Sequence, residues 1–155
     1  MRYAARTLTV AFVSAGATIA VALLSADRLA AAPVRGRPPG PDTLGTVASI
    51  LALCVGLVAF FWLGRSIGRG GGPSRAAVTT GALGGALTGL AGGAAQALAL
   101  ADYLGAVLAG YAVPPEFLTV ALGTYVVLAT LGAAVVGGAI TYLAWHRTPG
   151  RRLSR

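Results

Sequence analysis

Four long apolar stretches, at about residues 8–31, 44–64, 76–100 and 117–145, alternate with short segments that hold nearly all of the charge and all of the proline. At about 1.5 Å per residue a stretch of roughly 20 residues crosses the hydrocarbon core of a bilayer as one helix, and each of the four is that long. None shows the strict apolar and polar alternation of a half-buried strand. The pattern predicts an all-α fold, an integral membrane bundle of four transmembrane helices forming a single domain over residues 1–155.

The segments between the stretches sharpen this picture. Residues 32–43 carry Pro33, Pro38, Pro39 and Pro41 with Arg35 and Arg37, a composition that cannot continue a helix and reads as an aqueous loop. Residues 65–75 combine glycines with Arg65, Arg69 and Arg75. No Gly-Lys-Ser or Gly-Lys-Thr follows, so this reads as a flexible linker and not as a phosphate cradle. In residues 101–116, Asp102 is placed to cap a helix, and Tyr103, Leu104, Val107, Leu108 and Tyr111 follow at helical spacing. That predicts a short interfacial helix between the third and fourth spans, with a re-entrant turn as the alternative, closed by Pro114 and Pro115. Glu116 then falls in the first turn of the fourth span, where the helix dipole favours a negative charge.

The third span carries the strongest local pattern. Gly81, Gly85, Gly89 and Gly93 recur every fourth residue, and Gly84, Thr88 and Gly92 form a second row beside them. Leu83, Leu87, Leu90 and Leu98 gather on the remaining face. Helices in lipid gain nothing from hydrophobic burial against one another, so a face of bare backbone matters because it admits a neighbour to dispersion contact. This glycine-zipper pattern predicts a helix-packing surface, with Gln96 on its glycine side offering an amide to another helix. The fourth span has a small face of its own, including Gly123, Thr130, Ala133, Ala134, Gly137 and Thr141, and is expected to pair with the third as an antiparallel hairpin.

Charge sets the expected orientation. With the amino terminus inside, Arg2, Arg6, Arg65, Arg69, Arg75, Arg147, Arg151, Arg152 and Arg155 lie on the inner side and only Arg28, Arg35 and Arg37 on the outer, nine against three. By the positive-inside rule both termini are cytoplasmic, the loops 32–43 and 101–116 are outside, and 65–75 and the basic tail 146–155 are inside. The first stretch resembles a signal peptide in its basic start. Its apolar core is longer than a signal sequence uses, and the Ala30 to Ala32 cleavage candidate is followed by Pro33, so it reads as a retained span. Arg65, Arg69, Arg75, Arg147, Arg151, Arg152 and Arg155 are also placed to meet anionic lipid headgroups. A weak echo between Ala26-Asp27-Arg28-Leu29 and Ala101-Asp102-Tyr103-Leu104 raises the idea of two tandem hairpins related by an axis along the membrane normal.

Composition closes off most chemistry. Mean hydropathy of +0.78 with 10% charged residues leaves too little polar surface for a water-soluble globule. The net charge of +8 is spread through loops and tails without interleaved aromatics, which argues against nucleic acid. His146 is the only histidine and Cys54 the only cysteine, so no histidine metal cluster, bis-histidine haem or disulfide can be assembled from this chain. No charged residue lies in the middle of a span, which disfavours coupled transport. The expected function is that of a small non-catalytic protein of the cell membrane, without cofactor, working through helix contacts with membrane lipids and with a second copy of itself or another membrane protein. The alternative is an oligomeric pore or permease-like protein for a small solute or an uncoupled ion.

Overall fold

The computed structural model describes residues 3–31 and 43–148, with backbone alone at 27–31. Four helices account for nearly all of it: α1 (Ala4–Ala31), α2 (Thr43–Arg69), α3 (Ser74–Gly110) and α4 (Pro115–His146). Each is long and apolar enough to cross a membrane. The expected outer loop at 32–43 lies outside the described residues except for Thr43, which opens α2, and the tail arginines Arg151, Arg152 and Arg155 also lie outside them.

Two connections differ from those the sequence suggests. The short interfacial helix expected at 101–116 is not a separate element: Asp102 to Gly110 continue α3 without interruption, making one helix of 37 residues. The spacing of Tyr103, Leu104, Val107 and Leu108 was helical because the helix had not yet ended, and Asp102 caps nothing. The glycine-rich linker is also shorter than expected. α2 runs on through Gly64 and Gly68 to Arg69, and only 70–73 connects it to α3.

Both α2 and α3 stop in the same way. Gly72 N–H donates to Ile67 O (3.0 Å) and Gly71 N–H to Gly68 O (3.1 Å), with Gly71 at φ +70°. Val113 N–H donates to Leu108 O (3.1 Å) and Ala112 N–H to Ala109 O (3.2 Å), with Ala112 at φ +54°. This pair of bonds around a left-handed residue satisfies carbonyls that the helix end would leave without a partner. Glycine takes the conformation freely, whereas Ala112 does so against a penalty of about 1 kcal/mol. Prolines open the next helices, Pro73 preceding α3 and Pro115 standing in the first turn of α4, where no amide hydrogen is needed.

The helices form a four-cornered bundle in which α3 packs on α4 and on α1, and α2 packs on α1 and on α4. The α3–α4 contact is the most extensive, and α2 and α3 touch only slightly across a diagonal. A two-fold axis along the bundle would set α1 opposite α3. They are neighbours instead, so the sequence echo does not correspond to two tandem hairpins related that way.

α3 holds the bundle together because its two rows serve two different neighbours. Along Gly81, Gly85, Gly89 and Gly93 it meets α4. A Cβ on Gly81 would stand 2.5 Å from Gly137 O, one on Gly85 would strike Ala133 O, and one on Gly89 would stand 2.5 Å from Ala129 O. Along Gly84, Thr88 and Gly92 it meets α1: Gly84 lies against Thr7 and Phe60, Gly92 against Thr18, and Thr88 Oγ1 bonds Gly84 O (2.9 Å) and reaches Ala11 O at 3.5 Å. On α4 the contact steps by four through Thr141, Gly137, Ala133, Ala129 or Thr130, and Val126. Rows at i±4 on both helices are those of the right-handed packing class. They also explain Gly123, which is exposed with nothing within 4 Å of a Cβ placed on it. Continuing the row from Val126 by four reaches Leu122, so Gly123 is left to one side.

The end of the bundle that carries the α2–α3 connection, here the basal end, is packed with large side chains. Phe60, Leu63, Ile67, Ala77, Val10 and Trp145 form one buried cluster. Trp145 is buried, and its indole N–H donates to Gly72 O at 2.8 Å, tying α4 to the α2–α3 corner. Gly64 admits Thr141 O and Gly68 admits Thr148, which brings α2 and α4 together here. Gly64, Gly68 and Gly72 are therefore contact points, while Gly71 serves the turn.

Gly85→Ala places a methyl against the Ala133 carbonyl, an overpacking worth about 1–3 kcal/mol that exceeds the roughly 1 kcal/mol gained in helix propensity. Thermal unfolding in mild detergent is expected to show a lower midpoint for Gly85→Ala and an unchanged or higher one for Gly123→Ala.

Candidate functional site

Above the basal cluster the bundle opens. α2 is held to α4 at Gly64 and Gly68, and among the described residues the hydrophobic side chains buried further along, Val21, Ala22, Ala52 and Ala97, are small. What remains in the distal half is a cavity of about 330 Å³ that all four helices line. Its size falls at the lower end of the range typical of small-molecule pockets.

Each helix contributes a polar side chain to it: Thr18 from α1, Ser49 from α2, Thr88 and Gln96 from α3, and Tyr125 from α4. The apolar wall is built of Val21, Ala52, Leu53, Ala129 and Ala133, and the α3 side is nearly bare backbone at Gly89, Gly92 and Gly93. The α3 glycine rows thus do two things. They let α1 and α4 approach, and at the cavity they leave room that any larger residue would fill.

The hydrogen bonds show what the cavity offers a ligand. Tyr125 Oη donates to Gln96 Oε1 at 2.6 Å, bridging α4 and α3. That leaves the Gln96 amide nitrogen with its two N–H groups. Thr18 donates to Ala15 O (2.9 Å) and Thr88 to Gly84 O (2.9 Å), so both spend their hydrogens within their own helices and show lone pairs to the space. One turn from Thr18, Ser14 is 2% exposed, and its hydroxyl has no hydrogen-bond partner among the described residues. No acid, arginine or histidine lines the cavity among the described residues. It is an uncharged space with a few donors and acceptors on hydrocarbon walls.

The other residues singled out from the sequence lie elsewhere. Thr130, Ala134 and Gly137 sit in the α3–α4 contact, with the Cα atoms of Thr130 and Ala134 close to where Cβ atoms on Gly89 and Gly85 would be. Arg65, Arg69, Arg75 and Arg147 gather at the basal end, Arg65 with its guanidinium 5.9 Å from the centre of the Phe61 ring. His146 is exposed at the same end beside the Tyr142 ring, far along α4 from the cavity. No group of three or more metal-ligating side chains occurs among the described residues. Thr18, Ser49 and Tyr125 carry no signal in the sequence, because each is one of several hydroxyls in its span.

Compared with protein-family models, with curated proteins and with solved structures, the chain matches none of them.

Proposed function

We propose that this chain is a non-catalytic, multi-pass protein of the cytoplasmic membrane, with both termini on the cytoplasmic side, that admits a small uncharged solute into its bundle in the manner of a permease. Membrane placement is supported by an arrangement that reverses that of a water-soluble bundle. Leu83, Leu87, Leu90 and Leu98 point outward while the glycines of the same helix are buried. Orientation rests on the arginine asymmetry. The observation that carries the solute reading is the cavity that Gln96, Tyr125, Thr88, Thr18 and Ser49 line from all four helices with no charge among them. A group with a full charge would meet no counter-charge there, so the site favours a neutral molecule.

Association with a second copy or a larger membrane partner is the second reading. The smooth surface of α3 gives it little support, since that surface is largely taken up inside the chain by α1 and α4. Its support is α2, which exposes nearly all of its length apart from its basal end.

Two experiments test the proposal. In a Cys54→Ala background, Arg155→Cys is expected to react with a membrane-impermeant maleimide only after the cells are opened; labelling in intact cells contradicts the orientation. In proteoliposomes under a glycerol or urea gradient, volume recovery followed by light scattering is expected to run several-fold faster than in protein-free vesicles. Ser49→Phe, an exposed α2 position that lines the cavity, is expected to remove most of that gain. Recovery no faster than in empty vesicles refutes the permease reading, and co-purification of a membrane partner then favours the second one.

A further inference from the structure

A second hollow lies on the outside of the bundle, in the groove between α1 and α2. It measures about 520 Å³ and is walled by hydrocarbon from Val10 and Val13 of α1 and Leu51, Val55, Val58 and Trp62 of α2. Thr9 at its edge turns its hydroxyl back to the Ala5 carbonyl (3.0 Å), so even this polar residue shows the groove little but its methyl. The space is larger than the central cavity and of a different character, since its exposed lining is apolar.

The polar recognition stands one turn beyond its basal end. In an α-helix, residues three, four and seven apart share a face. Arg6 therefore stands on the α1 stripe of Val10 and Val13, and Arg65 on the α2 stripe of Val58 and Trp62, with Arg69 a turn further on. The register of the two antiparallel helices brings these cations to one height. Ser14 of α1 lies level with Gly56 of α2, its hydroxyl 3.9 Å from a Cβ placed on that glycine. Counting eight residues from that level toward the basal end reaches Arg6 on one helix and Gly64, next to Arg65, on the other. The Arg65 guanidinium rests against the ring of Phe61, the chain neighbour of Trp62 and not itself part of the groove lining. The described carboxylates, Asp102 and Glu116, are at the opposite end of the bundle, so none pairs with these arginines.

An apolar channel along the membrane normal that ends in two or three uncompensated guanidinium groups is complementary to one class of molecule. We infer that the α1–α2 groove is a binding site for a single anionic phospholipid of the leaflet at the basal end, with one acyl chain lying along Val58 and Trp62 and its phosphate between Arg6 and Arg65. A guanidinium donates two parallel N–H bonds to phosphate oxygens, which fixes the headgroup as well as attracting it. A zwitterionic lipid fits the hydrocarbon part equally and gains less from the cations. The inference rests on membrane placement and is independent of the solute reading.

Trp62 provides the measurement. It is 53% exposed in the groove wall, whereas the chain's other tryptophan, Trp145, is buried in the basal cluster. The full chain is reconstituted in phosphatidylcholine vesicles containing increasing fractions of phosphatidylglycerol with brominated acyl chains, or of brominated phosphatidylcholine, and tryptophan quenching is followed. Half-maximal quenching is expected at about a ten-fold lower fraction of the anionic lipid, given two arginines at the membrane surface. The preference is expected to fall below about two-fold in Arg6→Gln/Arg65→Gln, whose positions at the protein surface leave the fold intact, and the quenching itself to disappear in Trp62→Phe. Equal quenching by the two lipids in the wild-type protein overturns the inference, whatever the variants do. So does a preference that survives the double substitution, or quenching that persists without Trp62.

Discussion

Backbone meeting backbone between α3 and α4 is the constraint on which the rest of this structure depends. Carbonyl oxygens of Gly137, Ala133 and Ala129 lie where Cβ atoms on Gly81, Gly85 and Gly89 would have to be. In the membrane proposed for this bundle apolar side chains would gain nothing by leaving lipid, and such proximity is what would bring enough atoms into dispersion range to hold two helices together. The cost of so many glycines in one helix is moderated in hydrocarbon, because an unsatisfied backbone there is worse than a helix of low propensity. Because the second row serves α1 in the same way, α3 acts as the shared wall of the bundle, and α2 completes it through α1 and α4.

Packing is uneven along the bundle, and the unevenness creates the candidate sites. The basal half is closed by Phe60, Leu63, Ile67 and Trp145, with Trp145 bonded to the corner between α2 and α3. Among the described residues the distal half buries only smaller hydrophobic side chains such as Val21 and Ala52, and the glycines that permit close approach also leave the cavity wall bare. One device therefore gives tight contact where a carbonyl faces it and free space where nothing does. The outer groove arises from α2 in a similar way, since bulky side chains along Leu51 to Trp62 stand at its margins without meeting in the middle.

Helix number and the glycine rows were legible in the sequence because both are written in one-dimensional spacing: runs long enough to span a bilayer, and small residues every fourth position. The division of labour between the rows was not, since it depends on which helix lies on which side of α3. Gly123 was grouped with the small face of α4 by a seven-residue spacing, whereas the contact advances by fours and passes it. The end of α3 was placed too early because Asp102 reads as a cap, yet the left-handed Ala112, which closes the helix, carries no sequence signature of the kind glycine gives at Gly71. The cavity left only a faint trace, because Thr18, Ser49 and Tyr125 are far apart in the chain and each is unremarkable alone.

The central claim, that α3 and α4 of one chain lie in close contact along their small faces, is most directly tested by disulfide formation. A Cβ on Gly138 would stand 3.5 Å from Ala82 Cβ, within the range that disulfide-bonded cysteines occupy. Ala82→Cys with Gly138→Cys, in a Cys54→Ala background in native membranes, is predicted to oxidise rapidly to an intrachain product, while Ala82→Cys with Gly132→Cys, on the open side of α4, does not. Cross-linking only between chains, or equal reaction at Gly132, would contradict the account.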